Sequence, residues 1–152
     1  MEFRFAREAD FGAVNRLARQ VHELHVQWRP DLFRSVQYPI TQEEFSELLQ
    51  EQRLLLAQKD GRMIAYAVFG VQQHDMAKLM PQKTLKLDEI CVDEACRRQG
   101  IAKALLHELM QHGKAAGCTD LRLTCDPHNT AGVAFYESLG MKPKTIQYQC
   151  KL

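Results

Sequence analysis

The sequence lacks the features that mark several large classes of protein. No apolar run approaches the length of a membrane span, and the opening residues, MEFRFAREAD, are too charged for a signal peptide. The net charge of +1 at pH 7 gives no general attraction to nucleic acid or to a membrane surface. We therefore expect a cytoplasmic protein that binds neither nucleic acid nor a membrane.

Paired cysteines and metal-binding sets are missing as well. The five cysteines contain no C-x-x-C pair, which favours reduced thiols in a cytosolic protein. The six histidines form no recognisable metal set with them, so we expect no metal. Repeats, linkers and low-complexity segments are also absent. A length of 152 residues suffices for one hydrophobic core, which predicts a single domain over residues 1–152.

The most informative stretch that is present reads TLKLDEICVDEACRRQGIAK. Leu85 and Leu87 alternate with polar residues as in a half-buried strand, and Ile90 and Val92 alternate with the opposite parity. One extra residue near Asp88–Glu89 would return all four apolar side chains to the same face of the strand. The change of phase therefore predicts a β-bulge, which leaves backbone groups unpaired in the middle of the strand.

The residues after this strand predict a helix that begins at an anion-binding turn. Arg97, Arg98 and Lys103 surround Gly100, and the apolar residues that follow recur four apart, as on an amphipathic helix. The free N–H groups and the positive dipole end of a helix N-terminus attract an anion, and small residues such as Gly100 and Ala102 let it approach closely. The turn is thus suited to a pyrophosphate group. A solvated arginine pair is the alternative.

Two motifs in this region carry a resemblance to a known family. Arg97-x-x-Gly100-x-Ala102 after a strand resembles the acetyl-CoA signature of the GNAT N-acetyltransferases, Q/R-x-x-G-x-G/A. The stretch from Asn129 to Met141 is similar to the later motif of that family, N-x-x-A-x-x-F-Y-x-x-x-G-F, with Met141 where Phe is usual. Both motifs stand in the order and spacing of the family, and the resemblance extends more loosely over nearly the whole chain.

The apolar periodicities predict the element order β-α-α-β-β-β-α-β-α-β, an α/β or α+β sandwich with a mixed sheet. The resemblance implies the GNAT fold, with a six- to seven-stranded central sheet flanked by about four helices. In that fold two parallel strands splay apart and admit the pantetheine arm of acetyl-CoA. The predicted strands cover residues 3–7, 53–58, 63–71, 84–92, 121–125 and 146–152, and the predicted helices cover 10–26, a segment from 41, 97–116 and 130–139.

The resemblance also implies which residues contact acetyl-CoA. In the family, the main chain of the bulged strand pairs with the thioester and the pantetheine arm, and the glycine-containing turn holds the phosphates. An asparagine and a tyrosine of the later motif reach the arm and the sulfur. A helix N-cap and a core tyrosine are the alternative roles of those two. The matching residues here are Ile90, Cys91, Val92, Arg97, Arg98, Gln99, Gly100, Ile101, Ala102, Lys103, Asn129 and Tyr136.

Acyl transfer to an amine makes three chemical demands. The amine must be neutral although its pKa in water is about 10, the oxyanion needs hydrogen-bond donors, and the leaving thiolate benefits from a proton. Backbone N–H groups freed at the bulge suit the oxyanion, and Tyr136 is the candidate acid. Asp88 and Glu89 are the candidate bases, acting directly or through water. Both carboxylates can equally line the mouth of the site and favour a cationic amine.

We therefore expect an N-acetyltransferase that moves the acetyl group of acetyl-CoA directly to a primary amine through a tetrahedral intermediate. A catalytically silent acyl-CoA sensor of the same fold is the first alternative. A phosphate or nucleic-acid binding module is the second. The sequence leaves the acceptor open among a polyamine, an aminoglycoside, an amino acid, a peptide N-terminus and a lysine side chain. It also leaves open whether the protein forms a homodimer. Residues 24–45 are expected either to wall the acceptor site or to cover the sheet edge.

Overall fold

The computed structural model describes residues 1–152 and is built on one five-stranded mixed sheet, in which the strands follow each other in chain order. Strands β1 to β4 pair antiparallel, and β4 pairs with β5 in parallel, which makes the sheet mixed as predicted. The strands are β1 (Glu2–Phe5), β2 (Leu54–Lys59), β3 (Arg62–His74), β4 (Gln82–Val92) and β5 (Asp120–Leu123).

Four α-helices flank the sheet, as expected, and none is long and apolar enough to cross a membrane. The helix predicted from residue 41 is confirmed and begins with a capping box: Thr41 Oγ1 accepts from the Glu44 N–H at 3.2 Å, and the Glu44 carboxylate accepts from the Thr41 N–H at 2.8 Å. The helices are α1 (Phe11–Trp28), α2 (Gln42–Gln50), α3 (Ile101–Ala115) and α4 (Thr130–Ser138).

Each face of the sheet carries its own hydrophobic core. Helix α3 packs Ile101, Leu105 and Leu109 on one face, and helices α1 and α2 pack on the other with Leu17 and Phe45 among their buried side chains. The sequences of β2 and β3 are largely apolar because helices cover both faces of these strands. Both faces of the central strands are therefore closed to water, and only their ends and the outer strands leave room for a ligand.

The predicted final strand is wrong. Residues 141–152 form no strand, and the alternating side chains of Ile146, Tyr148 and Leu152 are 72%, 87% and 122% exposed. Alternation produces a strand only where a neighbouring backbone accepts its hydrogen bonds, and β5 is paired over four residues with β4 alone. The sheet consequently has five strands rather than six to seven.

The bulge predicted in β4 is confirmed. Val68 of β3 pairs with Glu89, and the next residue, Phe69, pairs with Leu87, so that Asp88 is the extra residue. The extra residue restores the parity of the apolar side chains on either side of it. The side chains that lie in or against the α3-side core are Leu85, Leu87, Ile90 and Val92.

Strands β4 and β5 part at this bulge. Their parallel pairing runs from Thr84 with Asp120 to Leu87 with Leu123, where β5 ends, while β4 continues to Val92. From Asp88 onwards, the edge of β4 that faces β5 therefore has no strand partner. Unpaired backbone groups at such an edge must find another partner, either water or a ligand.

A buried ion cluster fixes the end of β4. The Asp93 side chain is only 3% exposed, and its Oδ2 accepts from Arg16 Nη1 of α1 at 2.7 Å and from Arg62 Nη2 of β3 at 2.9 Å. Burial by itself would raise the pKa of Asp93, but the hydrogen bonds from Arg16 and from the Ala95 N–H outweigh it and hold the pKa at about 2. The cluster thus ties α1 and β3 to the residue at which β4 leaves the sheet.

Asp93→Asn tests this cluster, because the asparagine amide keeps an oxygen for the Ala95 N–H and the substitution removes the charge. We expect the free energy of unfolding to fall by about 1.5–3 kcal/mol at pH 7, the usual range for a hydrogen bond to a charged group. Asp93 is ionised above its unfolded pKa of about 3.9, so its stabilisation is present there and is lost as the pH falls towards about 2. Urea unfolding at several pH values measures both effects.

The difference between wild type and Asp93→Asn should therefore shrink below about pH 4. Glu47→Gln is the matched control, since Glu47 is an exposed carboxylate on α2. This control should change stability by less than about 0.5 kcal/mol at any of these pH values. A stability difference that stays constant down to pH 2 would contradict a role for the Asp93 charge.

Candidate functional site

The turn before α3 exposes a group of free backbone N–H donors. Gly100 has φ = +78° and precedes the helix without a side-chain cap, and Arg98 also has a positive φ, of +63°. The first helical bond runs from the Ala104 N–H to the Gly100 carbonyl at 3.0 Å. The N–H groups of Ile101, Ala102 and Lys103 therefore have no carbonyl partner in the helix. An anion can take the place of the missing cap.

The cations of this turn are available to such an anion. Arg97 Nε donates to the Val92 carbonyl at 3.2 Å, which fastens the turn to the end of β4. Arg98 and Lys103 are exposed, and neither they nor Arg97 form an ion pair with a carboxylate of the chain. Free donors and unpaired cations thus lie together beside the part of β4 that has lost its β5 partner.

The two candidate bases lie side by side at the bulge in different surroundings. Asp88 is bound by Arg53 Nη2 at 3.0 Å and by Lys86 Nζ at 2.9 Å. Glu89 has no cation beside it: its Oε1 accepts a hydrogen bond from the Tyr66 hydroxyl. Burial raises the pKa of Glu89 to about 7. Near neutral pH the Glu89 carboxyl can therefore take up or release a proton, as a general base must.

Tyr66 is a residue of this site that sequence reasoning missed. It lies fully buried in β3 on the face that packs against α1 and α2, across the antiparallel pair from Cys91. A signal was present, because tyrosine is the only residue with a hydroxyl in the apolar run Met63–Val71. Periodicity could not identify its partner, since the bulge decides which β4 side chain shares its face.

Of the two residues of the later motif, Tyr136 lies on α4 and Asn129 lies immediately before it. Burial, and then the neighbouring Cys125 thiol, raise the pKa of Tyr136 to about 12, so its hydroxyl keeps its proton at neutral pH. The Tyr136 ring lies 5.3 Å from that of Phe135. Asn129 Oδ1 accepts from the Gly132 N–H at 2.9 Å and caps α4, which is the alternative role considered for this asparagine. Its Nδ2 donors are not used by this cap.

The remaining predicted contacts belong to the backbone of β4. The Ile90 and Val92 side chains pack with the α3-side core, and the Cys91 thiol is buried, donating to the Leu17 carbonyl at 3.3 Å. Burial, followed by the nearby Glu89 charge, raises the pKa of Cys91 to about 12, so the thiol is not a nucleophile at neutral pH. Any contact of these three residues with a ligand in the cleft must then be made by their main chain.

The aromatic loop after α1 packs largely on its own helix. Tyr38 stacks on Phe11 with ring centroids 5.5 Å apart, and Trp28 lies 5.4 Å from His25. Arg29 is occupied by Asp31, through two hydrogen bonds of 2.9 and 2.7 Å. A separate, polar cavity of about 570 Å³ opens beside the bulge and is lined by Glu51, Gln52, Arg53, Phe69, Gly70, Val71, Gln72, Lys86 and Asp88.

A model of the acetyltransferase (GNAT) family matches residues 18–141, most of the chain. The chain belongs to the GNAT acetyltransferase family. The matched region contains the bulged strand, the turn before α3 and both residues of the α4 motif.

Curated relatives of this GNAT chain are named N-acetyltransferases with different acceptors. The ribosomal protein bS18-alanine N-acetyltransferase of Escherichia coli is 34% identical over 89 residues, which cover 59% of this chain and 54% of that protein. The chain thus aligns with about half the length of this relative. Glucosamine 6-phosphate N-acetyltransferase 1 of Oryza sativa is 25% identical over 118 residues, covering 72% of this chain and 68% of that protein.

Solved structures of other proteins superimpose on nearly the full length of this chain. A mutant of the BH1408 protein of Bacillus halodurans superimposes with a TM-score of 0.95 at 30% identity, covering 100% of this chain and 99% of that chain. The aminoglycoside N-acetyltransferase AAC(6')-Iy in complex with CoA gives a TM-score of 0.72 at 19% identity, covering 99% and 100% of the two chains. At this low identity, the second comparison shows a shared fold only.

The structure explains one departure from the GNAT motif. Gly132 stands at the position where the motif has alanine, and a Cβ built there would lie 2.4 Å from Nδ2 and 2.9 Å from Oδ1 of Asn129. A side chain at this position would push the Asn129 amide out of its capping position. Glycine at position 132 and the Asn129 cap therefore depend on each other.

A double-mutant cycle on Asn129 and Gly132 tests this dependence. In the Asn129→Ala background there is no cap to lose, so Gly132→Ala should stabilise α4 by about 0.5–1 kcal/mol through helix propensity. In the wild-type background the same change also removes the cap, which costs about 1 kcal/mol, and the net effect should be near zero or unfavourable. Urea unfolding of the four proteins gives the coupling energy, and additive effects would contradict the clash.

Proposed function

We propose that this GNAT chain is an acetyl-CoA-dependent N-acetyltransferase that acts on a primary amine. The observation that carries the proposal is the parting of β4 from β5 at the bulge, next to the free N–H groups at the start of α3. A cleft between parallel strands gives an extended ligand a backbone edge to pair with, and the helix start gives its phosphates a cradle. The amine acceptors in the names of the relatives support transfer to nitrogen.

The residues present fit acetyl-CoA as the cosubstrate. We assign its phosphates to the turn formed by Arg97, Arg98, Gln99, Gly100 and the first residues of α3. We assign the pantetheine arm to the unpaired edge of Ile90–Val92, with Asn129 Nδ2 as a further donor. The thioester supplies the acetyl group. The choice of CoA as the ligand is supported by a neighbour of the same fold that was solved in complex with CoA.

The proposed reaction is a direct transfer. The neutral amine nitrogen attacks the thioester carbonyl carbon, and the oxyanion that forms is stabilised by N–H groups at the bulge. The C–S bond then breaks, and the sulfur receives the proton of the Tyr136 hydroxyl. Glu89 accepts the proton that the amine loses, directly or through water. Restoring the Tyr136 proton from solvent and releasing that of Glu89 completes the cycle.

We assign the base to Glu89 rather than to Asp88. Both oxygens of the Asp88 carboxylate are occupied, Oδ2 by Arg53 Nη2 and Oδ1 by Lys86 Nζ, so neither faces an amine unhindered. Glu89 has no cation to neutralise it, and burial raises its pKa to about 7. Asp88 then serves as the extra residue of the bulge and as one wall of the polar cavity beside it.

The acceptor panel is the experiment that tests the function. Purified protein with acetyl-CoA is given polyamines, aminoglycosides, amino sugars, amino acids, an alanine-terminated peptide and a lysine peptide, and thiol release is measured. Amine-dependent release supports the proposal. Binding of acetyl-CoA without release on any amine favours the silent sensor. We also propose a cytoplasmic location, which the five free thiols support, and the oligomeric state is measured on the same preparation.

Gly100→Asp tests the phosphate cradle. The substitution adds an anion and a side chain where the proposed phosphates lie, so CoA should lose nearly all of its stabilising effect on thermal unfolding. Gly117→Asp is the matched control, because Gly117 lies at the other end of α3 with a similar φ of +80° and equally open surroundings. Both variants place a side chain at a positive φ, and without ligand Gly117→Asp should lose more stability than Gly100→Asp, because the helix dipole opposes a negative charge at the C-terminal end of α3. If CoA raises the melting temperature of folded Gly100→Asp as much as that of the wild type, the phosphates must bind elsewhere.

Tyr136→Phe tests the proposed acid. The change keeps the ring packing against Phe135 and removes only the hydroxyl. General acid assistance is typically worth about 10²–10⁴-fold, so kcat should fall at least tenfold while KM for acetyl-CoA changes little. Steady-state kinetics with an acceptor from the panel measures both constants. Unchanged kcat in a stable variant, with chemistry rate-limiting, would leave the sulfur to depart as thiolate or to take its proton from water.

A further inference from the structure

The buried hydroxyl of Tyr66 has one partner in the chain, the carboxyl of Glu89. Tyr66 is fully buried in the middle of β3, in the core formed with α1 and α2, where a phenylalanine would serve packing equally well. A buried phenol hydroxyl needs a hydrogen-bond partner, and this one finds it across the sheet in the residue that follows the bulge. The hydroxyl therefore has no packing role of its own.

Glu89 has no cationic partner, in contrast to two other carboxylates of the chain that are buried or partly buried. Asp93 binds Arg16 and Arg62, and Asp10 binds Arg4 at 2.7 Å. A carboxylate used only for structure is normally paired with a cation when it is removed from water. Glu89 is partly buried with a phenol hydroxyl instead, which steadies the carboxylate without neutralising its charge.

The geometry of the contact leaves half of the carboxylate unoccupied. The Tyr66 hydroxyl donates to Oε1, while Oε2 receives no hydrogen bond from the chain. Because the tyrosine ring is held rigidly by the core, its hydroxyl fixes the position of Oε1 and thereby limits the orientation of the whole carboxylate. Oε2 is then the oxygen that can take a proton from an amine or from water.

We propose that Tyr66 is a positioning residue, whose hydroxyl holds the Glu89 carboxylate at the parting of β4 and β5 and favours its ionised form. The role of Glu89 as the base rests on the function proposed above, but the effect of Tyr66 on Glu89 does not. A donor to a carboxylate stabilises the charged form, so losing the hydroxyl must make Glu89 harder to ionise. This direction distinguishes the proposal from a purely structural tyrosine.

Few other charged or titratable groups surround Glu89. On β4, Cys91 keeps its proton at neutral pH, and Asp88 is paired with Arg53 and Lys86. On α1, Arg16 is bound to Asp93 and to the Met63 carbonyl. Helix α2 contributes the apolar side chain of Phe45 to this core. Tyr66 is thus the group whose removal most directly changes the ionisation of Glu89.

The decisive measurement does not require an acceptor. Protein labelled with ¹³C at the glutamate carboxyl carbons is titrated by NMR, and Glu89→Gln assigns the Glu89 signal. In Tyr66→Phe we expect the midpoint of that signal to rise by about one pH unit, since hydrogen bonds to charged groups are of that strength. Tyr148→Phe is the matched control, because Tyr148 lies exposed in the C-terminal segment, and it should leave the midpoint unchanged.

An unchanged or lower midpoint in Tyr66→Phe overturns the proposal. Should that variant fail to fold, the wild-type protein still decides the question. A ¹³C label at Cζ of tyrosine should report a Tyr66 shift that titrates with the same midpoint as Glu89. A Tyr66 signal that is independent of pH across this range would likewise refute the contact.

Kinetics with a working amine then separates this inference from the proposed function. If Glu89 is the base, the acid limb of kcat/KM moves upward by about the same one pH unit in Tyr66→Phe, with KM for acetyl-CoA little changed. If the carboxyl midpoint moves but the acid limb does not, Tyr66 still positions Glu89, and the assignment of the base fails. If no amine is acetylated at all, the NMR result stands by itself.

Discussion

The site depends on one extra residue in β4. Asp88 interrupts the pairing with β3, and the same position marks the end of the pairing with β5. The interruption keeps Ile90 and Val92 on the face of α3 and places Glu89 on the face of α1 and α2, where Tyr66 lies. Without the bulge, every side chain from Glu89 to Val92 would point to the opposite face.

Two adjacent carboxylates acquire different chemistry from their partners. Asp88 lies at the rim and pairs with Arg53 and Lys86, and the Arg53 pair links the residue before β2 to β4 across β3. Glu89 is partly buried, its only partner is a hydroxyl, and burial raises its pKa to about 7. Proteins commonly use such differences in surroundings to shift the pKa of a carboxyl group towards neutral pH.

The rigid frame around the cleft comes from contacts that are distant in sequence. Asp93 joins α1 and β3 to the end of β4, and Arg97 fastens the following turn to the Val92 carbonyl. The turn and the strand edge, the two parts of the proposed acetyl-CoA site, are therefore held in a fixed relation. The Asn129 cap and Gly132 orient the start of α4 in the same way.

The sequence by itself determined the local features of this protein: the bulge from a change of parity, the start of α2 at Thr41, and the turn before α3 from its glycine and cations. Each follows from interactions between residues close in the chain. Partners distant in sequence were decided by tertiary structure alone. Periodicity could not show that Tyr66 meets Glu89, that Arg53 binds Asp88, or that the alternating residues 146–152 find no strand to pair with, because contacts across the sheet depend on register and on available edges.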